Sequence, residues 1–500
     1  MSVSRNLGFA LAASVCTALV GLAVVPIYLR LLGIEAYGLI GIYSSLSALF
    51  SLLDFGLAPA INREVARRTS EQNLQPVREL LHTLAFVYWS MAGAIAVVAV
   101  LGAPLLANGW LQSTLLPQQT VSSSLTLIGI VIACRWAQAL YAGALLGAER
   151  MALVSSIGMA MSLLGSVGAV AVLAWVAPRI EAFFVWQAGV GLVHTMLLRI
   201  AAWRVVGKAP TSRFSLAALK GIWRFSAGIS AVAVAGVLLT QVDKVILSRL
   251  LSLSDFGGYT LATVVVSAIY LAVNPVFNVI YPRFTALVAA ANERQLSEFY
   301  RSGTRLFATA VFPVCMTLAV FSKEIVQVWT GNQLLAEHVS WVVSLLAVGA
   351  ALHSVMYFPY ALQLAYGVTR LPLTINSILV IVAVPLISVL AWQYGTIGGA
   401  AASLLLFFFY LLLGAWLTHR TLLPHIRFAW LLFDVGVPLL ISICVGVVGR
   451  AFMSRFDLTG LDTVVLGSGL LVSAWGASLA TAPRETLARV SRLFRSTHGE

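Results

Sequence analysis

Long apolar runs alternate with short polar stretches along the whole chain. Fourteen are legible, at roughly 7–31, 38–61, 80–107, 121–147, 152–176, 183–203, 225–250, 256–282, 306–330, 339–366, 371–394, 397–419, 431–450 and 461–481. A helix needs about 20 mostly apolar residues to cross a hydrocarbon core, and each run is of that order. The pattern predicts an all-α polytopic membrane protein with about 14 transmembrane helices. The first run begins like a signal peptide, with Arg5 ahead of it and Ala12, Ala13 and Ser14 within it. Its apolar character continues to Leu32, past the 7–15 residues of a signal core, so it reads as a retained first helix.

Composition removes the alternatives. Of 500 residues, 60% are hydrophobic and only 10% charged. Soluble domains run near 25% charged, and disorder needs the opposite balance. The net charge of +13 follows the membrane pattern. With the N-terminus placed in the cytoplasm, 22 basic residues fall on the cytoplasmic segments and 6 on the opposite loops, and 108–120 has none. That asymmetry is the positive-inside signal, and it puts both termini in the cytoplasm. The basicity marks topology and attraction to anionic lipid, and no nucleic acid is expected. Cys16, Cys134, Cys315 and Cys444 all lie in apolar runs without metal-ligand spacing and read as buried free thiols. No Walker A loop, GxGxxG, HExxH or GxSxG is present, so no enzyme active site and no cofactor is expected.

An internal repeat shows at one place. Arg30-Leu31-Leu32 followed by Tyr37-Gly38 matches Arg249-Leu250-Leu251 followed by Phe256-Gly257, at an offset of 219 residues. The matching stretches join spans 1 and 2 and spans 7 and 8. Six spans is an even number, so the repeat predicts two parallel halves of six helices each, related by a pseudo-two-fold along the membrane normal, with an extra C-terminal helix pair. The expected divisions are 1–210, 211–420 and 421–500, linked by a basic segment carrying Pro210. Pro26, Asn274-Pro275, Asn278, Pro282, Pro359 and Pro385 interrupt spans. They read either as kinked packing or as helices bending at a cavity.

Charges at membrane depth are costly and rarely face lipid. Arg135 lies near the middle of span 4, with Gln138 one turn on and Tyr141 further round. A fixed guanidinium suits an anion, because it grips phosphate oxygens bidentately; the alternative is an ion pair with a carboxylate of another helix. Asp243-Lys244 follows in span 7. Adjacent residues do not share a helix face, so the two are expected to point apart, with Asp243 a counter-ion for Arg135 or a proton carrier. Asp54, in Leu53-Asp54-Phe55-Gly56, is either a local cap or part of an inner gate. Arg30 and Arg249 hold equivalent external positions suited to an outer gate. His194 and His353 read as packed hydrogen-bonding groups, or as proton switches, and Asp434 as interfacial.

The stretches Pro26–Gly33, Glu35-Ala36-Tyr37-Gly38, Leu53–Leu57 and Asn62–Ala66 resemble the N-terminal signature of Wzx-type polysaccharide-biosynthesis flippases. That family belongs to the multidrug/oligosaccharidyl-lipid/polysaccharide exporter superfamily. Gln241–Ile246, with Phe256-Gly257 and Tyr259, resembles the start of its second half. The resemblance implies two parallel six-helix bundles around a central cavity, and an inner-membrane flippase that carries undecaprenyl-pyrophosphate-linked oligosaccharide to the periplasmic leaflet by alternating access, with ion coupling, for O-antigen or exopolysaccharide synthesis. It implies substrate contacts at Arg30, Arg63 and Arg135, to which Gln138 and Lys244 are added, and gating or ion coupling at Asp54, Asp243 and Arg249. The implied partners are the lipid-linked glycan, membrane lipid and the pathway's polymerase or export machinery, with the chain a monomer. Rival readings are a peptidoglycan-precursor flippase, a multidrug/cation antiporter, and a scaffold or polymerase. A polymerase would carry a large periplasmic loop, whereas the longest external loop here is 108–120.

Overall fold

The computed structural model describes residues 3–70, 75–207 and 214–453, with scattered positions from 455 to 476. Pro210, and most of the run at 461–481, lie outside the described residues. The described residues are predominantly helical: α1 (Val3–Leu32), α2 (Ile34–Phe50), α3 (Leu57–Ser70), α4 (Gln75–Gly109), α5 (Gln118–Trp136), α6 (Gln138–Gly147), α7 (Met151–Trp175), α8 (Ile180–Val206), α9 (Leu216–Leu250), α10 (Leu253–Ala289), α11 (Glu293–Val320), α12 (Ser322–Thr330), α13 (Gln333–Val355), α14 (Tyr357–Ala365), α15 (Arg370–Leu422) and α16 (Val437–Met453). A π-helical turn, Trp430–Gly436, precedes α16.

Eleven stretches among the described residues are long and apolar enough to cross a membrane. One of them, Arg370–Leu422, holds two of the predicted spans. Gly395 lies at φ 59°, ψ −134° between them, and a side chain on Gly398 would meet the carbonyl of Leu390. The chain therefore doubles back in a tight hairpin, and glycine meets both the left-handed φ and the close approach. The outer faces carry Leu, Val and Phe, with Trp175 and Tyr394 standing exposed at 85% and 64%. Such a surface needs lipid rather than water as its solvent.

The structure divides several runs that the sequence presents as single spans. The run at 38–61 is broken by a 3-10 turn at Ser51–Asp54 and by left-handed Phe55 (φ 47°) and Gly56 (φ 74°). The Asp54 carboxylate accepts the Ala58 N–H at 3.3 Å and so starts α3. The run at 121–147 breaks at Ala137 (φ −76°, ψ 0°), and that at 339–366 breaks at Met356. The run at 306–330 breaks at Phe321.

The residues cluster into two compact units, 1–260 and 261–500, with the boundary inside α10. The 219-residue offset recurs in their internal anatomy. Ile34–Ser70 and Leu253–Ala289 begin and end at equivalent positions, α7 and α15 start at equivalents, and the breaks at Ala137 and Met356 are equivalents. In the first unit α4, α5 and α8 pack side by side, α1 packs on α7, and α3 packs on α6. In the second, α13 packs between α11 and the second half of α15, and α16 packs on α11.

Candidate functional site

The break at Ala137 places Arg135 on the last turn of α5 and Gln138 on the first turn of α6, both turned toward α8. The Arg135 Nη2 donates to Oε1 of Gln187 at 2.7 Å, and Gln187 in turn donates to the Gly165 carbonyl of α7 at 3.2 Å. Gln138 Nε2 donates to the Gly191 carbonyl at 3.2 Å. Gly191 is a glycine for room: a Cβ there would lie 2.8 Å from Cγ of Arg135. The guanidinium sits 5.9 Å from the ring centre of Tyr43 on α2, and its Nε is buried without a partner. Among the described residues no carboxylate pairs with Arg135, so the ion-pair alternative is not what the structure holds. A guanidinium bound by a neutral amide and a ring keeps its full charge available, and an orphaned N–H adds an unmet donor.

Tyr141 does not join this cluster. Its hydroxyl accepts from Trp89 Nε1 at 3.2 Å, toward α4. Gln187, Tyr43 and Gly191 are the partners that reading by charge overlooked. A lone glutamine within an apolar run was the available signal.

Asp243 and Lys244 do pair, against expectation: Nζ lies 3.2 Å from Oδ1 and also donates to the Thr240 carbonyl at 2.9 Å. The long lysine stem folds back across one position of α9, a reach that the rule of helix faces does not cover. Asp243 Oδ2 accepts from Tyr259 of α10 at 2.7 Å, so this carboxylate is engaged locally and not with Arg135.

Around the junction of α9 and α10 the chain is strapped. Buried Glu35, at the start of α2, accepts the N–H groups of Thr114, Leu115 and Leu116 at 2.6, 2.8 and 2.7 Å. The same loop takes the Leu253 N–H on the Gln112 carbonyl at 2.7 Å, and Trp110 donates to Ser248 Oγ at 3.1 Å. Arg249 lies 6.0 Å from the Trp110 ring centre. Repeat-related residues meet reciprocally here: a side chain on Gly38 would strike the Leu253 carbonyl, and one on Gly257 the Ile34 carbonyl. Gly41 likewise faces Thr260, its own equivalent. Arg30 stands exposed in the last turn of α1.

At the other end of the unit, Asp54 accepts a hydrogen bond from Tyr88 of α4 as well as capping α3. Arg63 is exposed on α3. Glu64 pairs with Arg67 and Arg68 at 2.7 and 2.9 Å. Burial raises the Glu64 carboxyl, but those two arginines outweigh it and hold it below the usual range.

The second unit carries an aromatic cluster. Phe277 stacks between Tyr281 and Tyr360, with centroids 5.8 and 5.7 Å apart, and Tyr357 donates to Asn274 Oδ1 at 3.2 Å. His353 is packed among rings and shares a hydrogen bond with Tyr270 at 2.9 Å. His194 lies half-buried on α8. Asp434, on the π-turn Trp430–Gly436, is buried and paired with Arg301 of α11 at 2.7 Å. Cys315 is buried as expected, but Cys16 and Cys444 are exposed on helix surfaces.

Comparison with known proteins gives the following. A model described as "Polysaccharide biosynthesis protein" matches residues 3–288. The succinoglycan biosynthesis transport protein ExoT of Rhizobium meliloti (strain 1021) is 24% identical over 334 residues, 66% of this chain and 63% of that protein. The chain thus spans a little under two thirds of that relative's length. Among solved structures, a lipid II flippase MurJ in an inward closed conformation superposes with a TM-score of 0.68 at 12% identity, covering 94% of this chain and 98% of that one. An inward-facing multidrug resistance MATE family transporter of the MOP superfamily gives 0.64 at 13% identity, covering 81% and 95%. The fold is the one those transporters share.

Proposed function

The chain belongs to the polysaccharide biosynthesis protein family, and from that membership we propose that it is a flippase for a polyprenyl-pyrophosphate-linked oligosaccharide. It moves the lipid-linked unit from the cytoplasmic to the periplasmic leaflet of the bacterial inner membrane by alternating access. The observation that carries the reading is Arg135: a half-buried guanidinium in mid-span, held by Gln187 and Tyr43 and left without a carboxylate among the described residues. A cation so placed attracts a pyrophosphate and repels a cationic drug. Gln138 fixes α6 against α8 beside it. Arg63 serves the cytoplasmic approach. Arg30, Lys244 and Arg249 serve the outer side, with Asp54 and Asp243 as the carboxylates whose pairings change between states.

Deleting the gene is expected to leave surface glycan absent and the lipid-linked unit accumulating inside. Arg135→Ala is expected to fail to restore export while reaching the membrane at the normal level. Full export by the Ala variant would remove Arg135 from the substrate path, and normal glycan in the deletion strain would end the flippase reading. Complementation across a panel of glycan pathways, the peptidoglycan precursor included, identifies the cargo.

A further inference from the structure

The side of the first unit turned away from Arg135 carries a groove that the transport reading does not use. α4 and α8 are clamped where their ends meet, Arg78 Nε donating to the Val206 carbonyl at 3.0 Å. Further along the two helices they enclose a space of about 1070 Å³, reaching Tyr141 of α6. On α4 the groove takes His82 and Trp89, whereas Leu80, Leu81, Leu84 and Tyr88 are buried on the opposite side. On α8 it takes Arg199, Trp203 and Arg204, whereas Gln187, Gly191 and Thr195 face α5. The groove therefore opens outward, to lipid.

Its chemistry is basic and aromatic. No carboxylate is among its lining residues, and among the described residues neither Arg199 nor Arg204 forms an ion pair. Arg199 is seven residues from the end of α8, about 10 Å at 1.5 Å per residue. The groove thus spans the headgroup level and the first turns of the hydrocarbon. The charge asymmetry of the sequence assigns that end of α8 to the cytoplasm. Basic pockets between helices on the cytoplasmic side suit anionic headgroups, and indoles favour the interface.

We infer that this groove holds one anionic phospholipid of the inner leaflet. Arg199 and Arg204 engage its phosphate, and Trp89 and Trp203 pack on its glycerol and upper acyl chain. The lipid is a resident, distinct from the transported cargo, and it ties α4 to α8 beyond the Arg78 clamp. A zwitterionic lipid fits less well, because its ammonium meets the same two arginines.

The test uses the purified full-length protein in detergent, titrated with phosphatidylglycerol, phosphatidylcholine or inorganic pyrophosphate and read by native mass spectrometry. One saturable phosphatidylglycerol is expected. Arg199→Gln with Arg204→Gln is expected to weaken it about 25-fold, from the loss of two interfacial cations, and Arg204→Gln alone about fivefold. The single variant changes one exposed residue and keeps the test decisive if the double variant aggregates. Equal retention of phosphatidylcholine, unchanged retention in the single variant, or displacement of the lipid by equimolar pyrophosphate would each overturn the assignment.

Discussion

Glu35→Gln keeps the shape of a buried side chain and removes its charge. The carboxylate accepts three backbone N–H groups, Oε1 from Thr114 and Oε2 from Leu115 and Leu116 at 2.6–2.8 Å, and the Thr114 hydroxyl lies 3.3 Å from Oε1. A glutamine offers one acceptor oxygen, and its NH2 confronts whichever donors that oxygen does not take. At least one N–H then loses its acceptor and faces the amide NH2 instead, at about 1–3 kcal/mol, and the bonds that remain lose their charge assistance. The strap should lose about 2–3 kcal/mol, so that amide exchange at 114–116 rises by roughly 30- to 150-fold. Hydrogen exchange of the purified protein, followed by mass spectrometry over 110–118, measures this directly. Peptides from α13 and the second half of α15 should be unchanged. Wild-type protection at 114–116 in the variant would show that the buried carboxylate does not hold the loop, and would refute the strap.

Two further perturbations test other contacts. Gly38→Ala and Gly257→Ala should each lower thermal stability, by about 1–3 kcal/mol for overpacking, and the double variant should cost less than their sum because one separation of the helices accommodates both methyl groups; additive melting losses would deny the reciprocal contact. Asp434→Asn should cost about 2 kcal/mol through loss of the charge-assisted bond to Arg301, seen as a lower melting temperature, and Arg301→Gln should then cost little in that background; equal costs of Arg301→Gln in both backgrounds would show the pair to be uncoupled.

The site was legible in part. Arg135 and Gln138 stood out because an ionisable group amid apolar residues is conspicuous in one dimension, and the structure brings both onto α8. The breaks at Ala137 and Met356 carried no proline or glycine at the break itself, and they emerge from packing. The Gly38 and Gly257 pair was visible as a repeat, but its reciprocal contact was not.

The sequence by itself determined the class of the protein, its expected orientation and the 219-residue repeat. Each crossing helix satisfies its own backbone hydrogen bonds, so apolar length, and the charge at its ends, are local properties readable one run at a time. Only the tertiary structure decided which polar groups meet: Arg135 with Gln187, Lys244 with Asp243, Glu35 with the loop at 114–116, and Asp434 with Arg301. Those pairings depend on how each helix is rotated about its axis. A helix apolar on every side gives little in its own sequence to set that rotation.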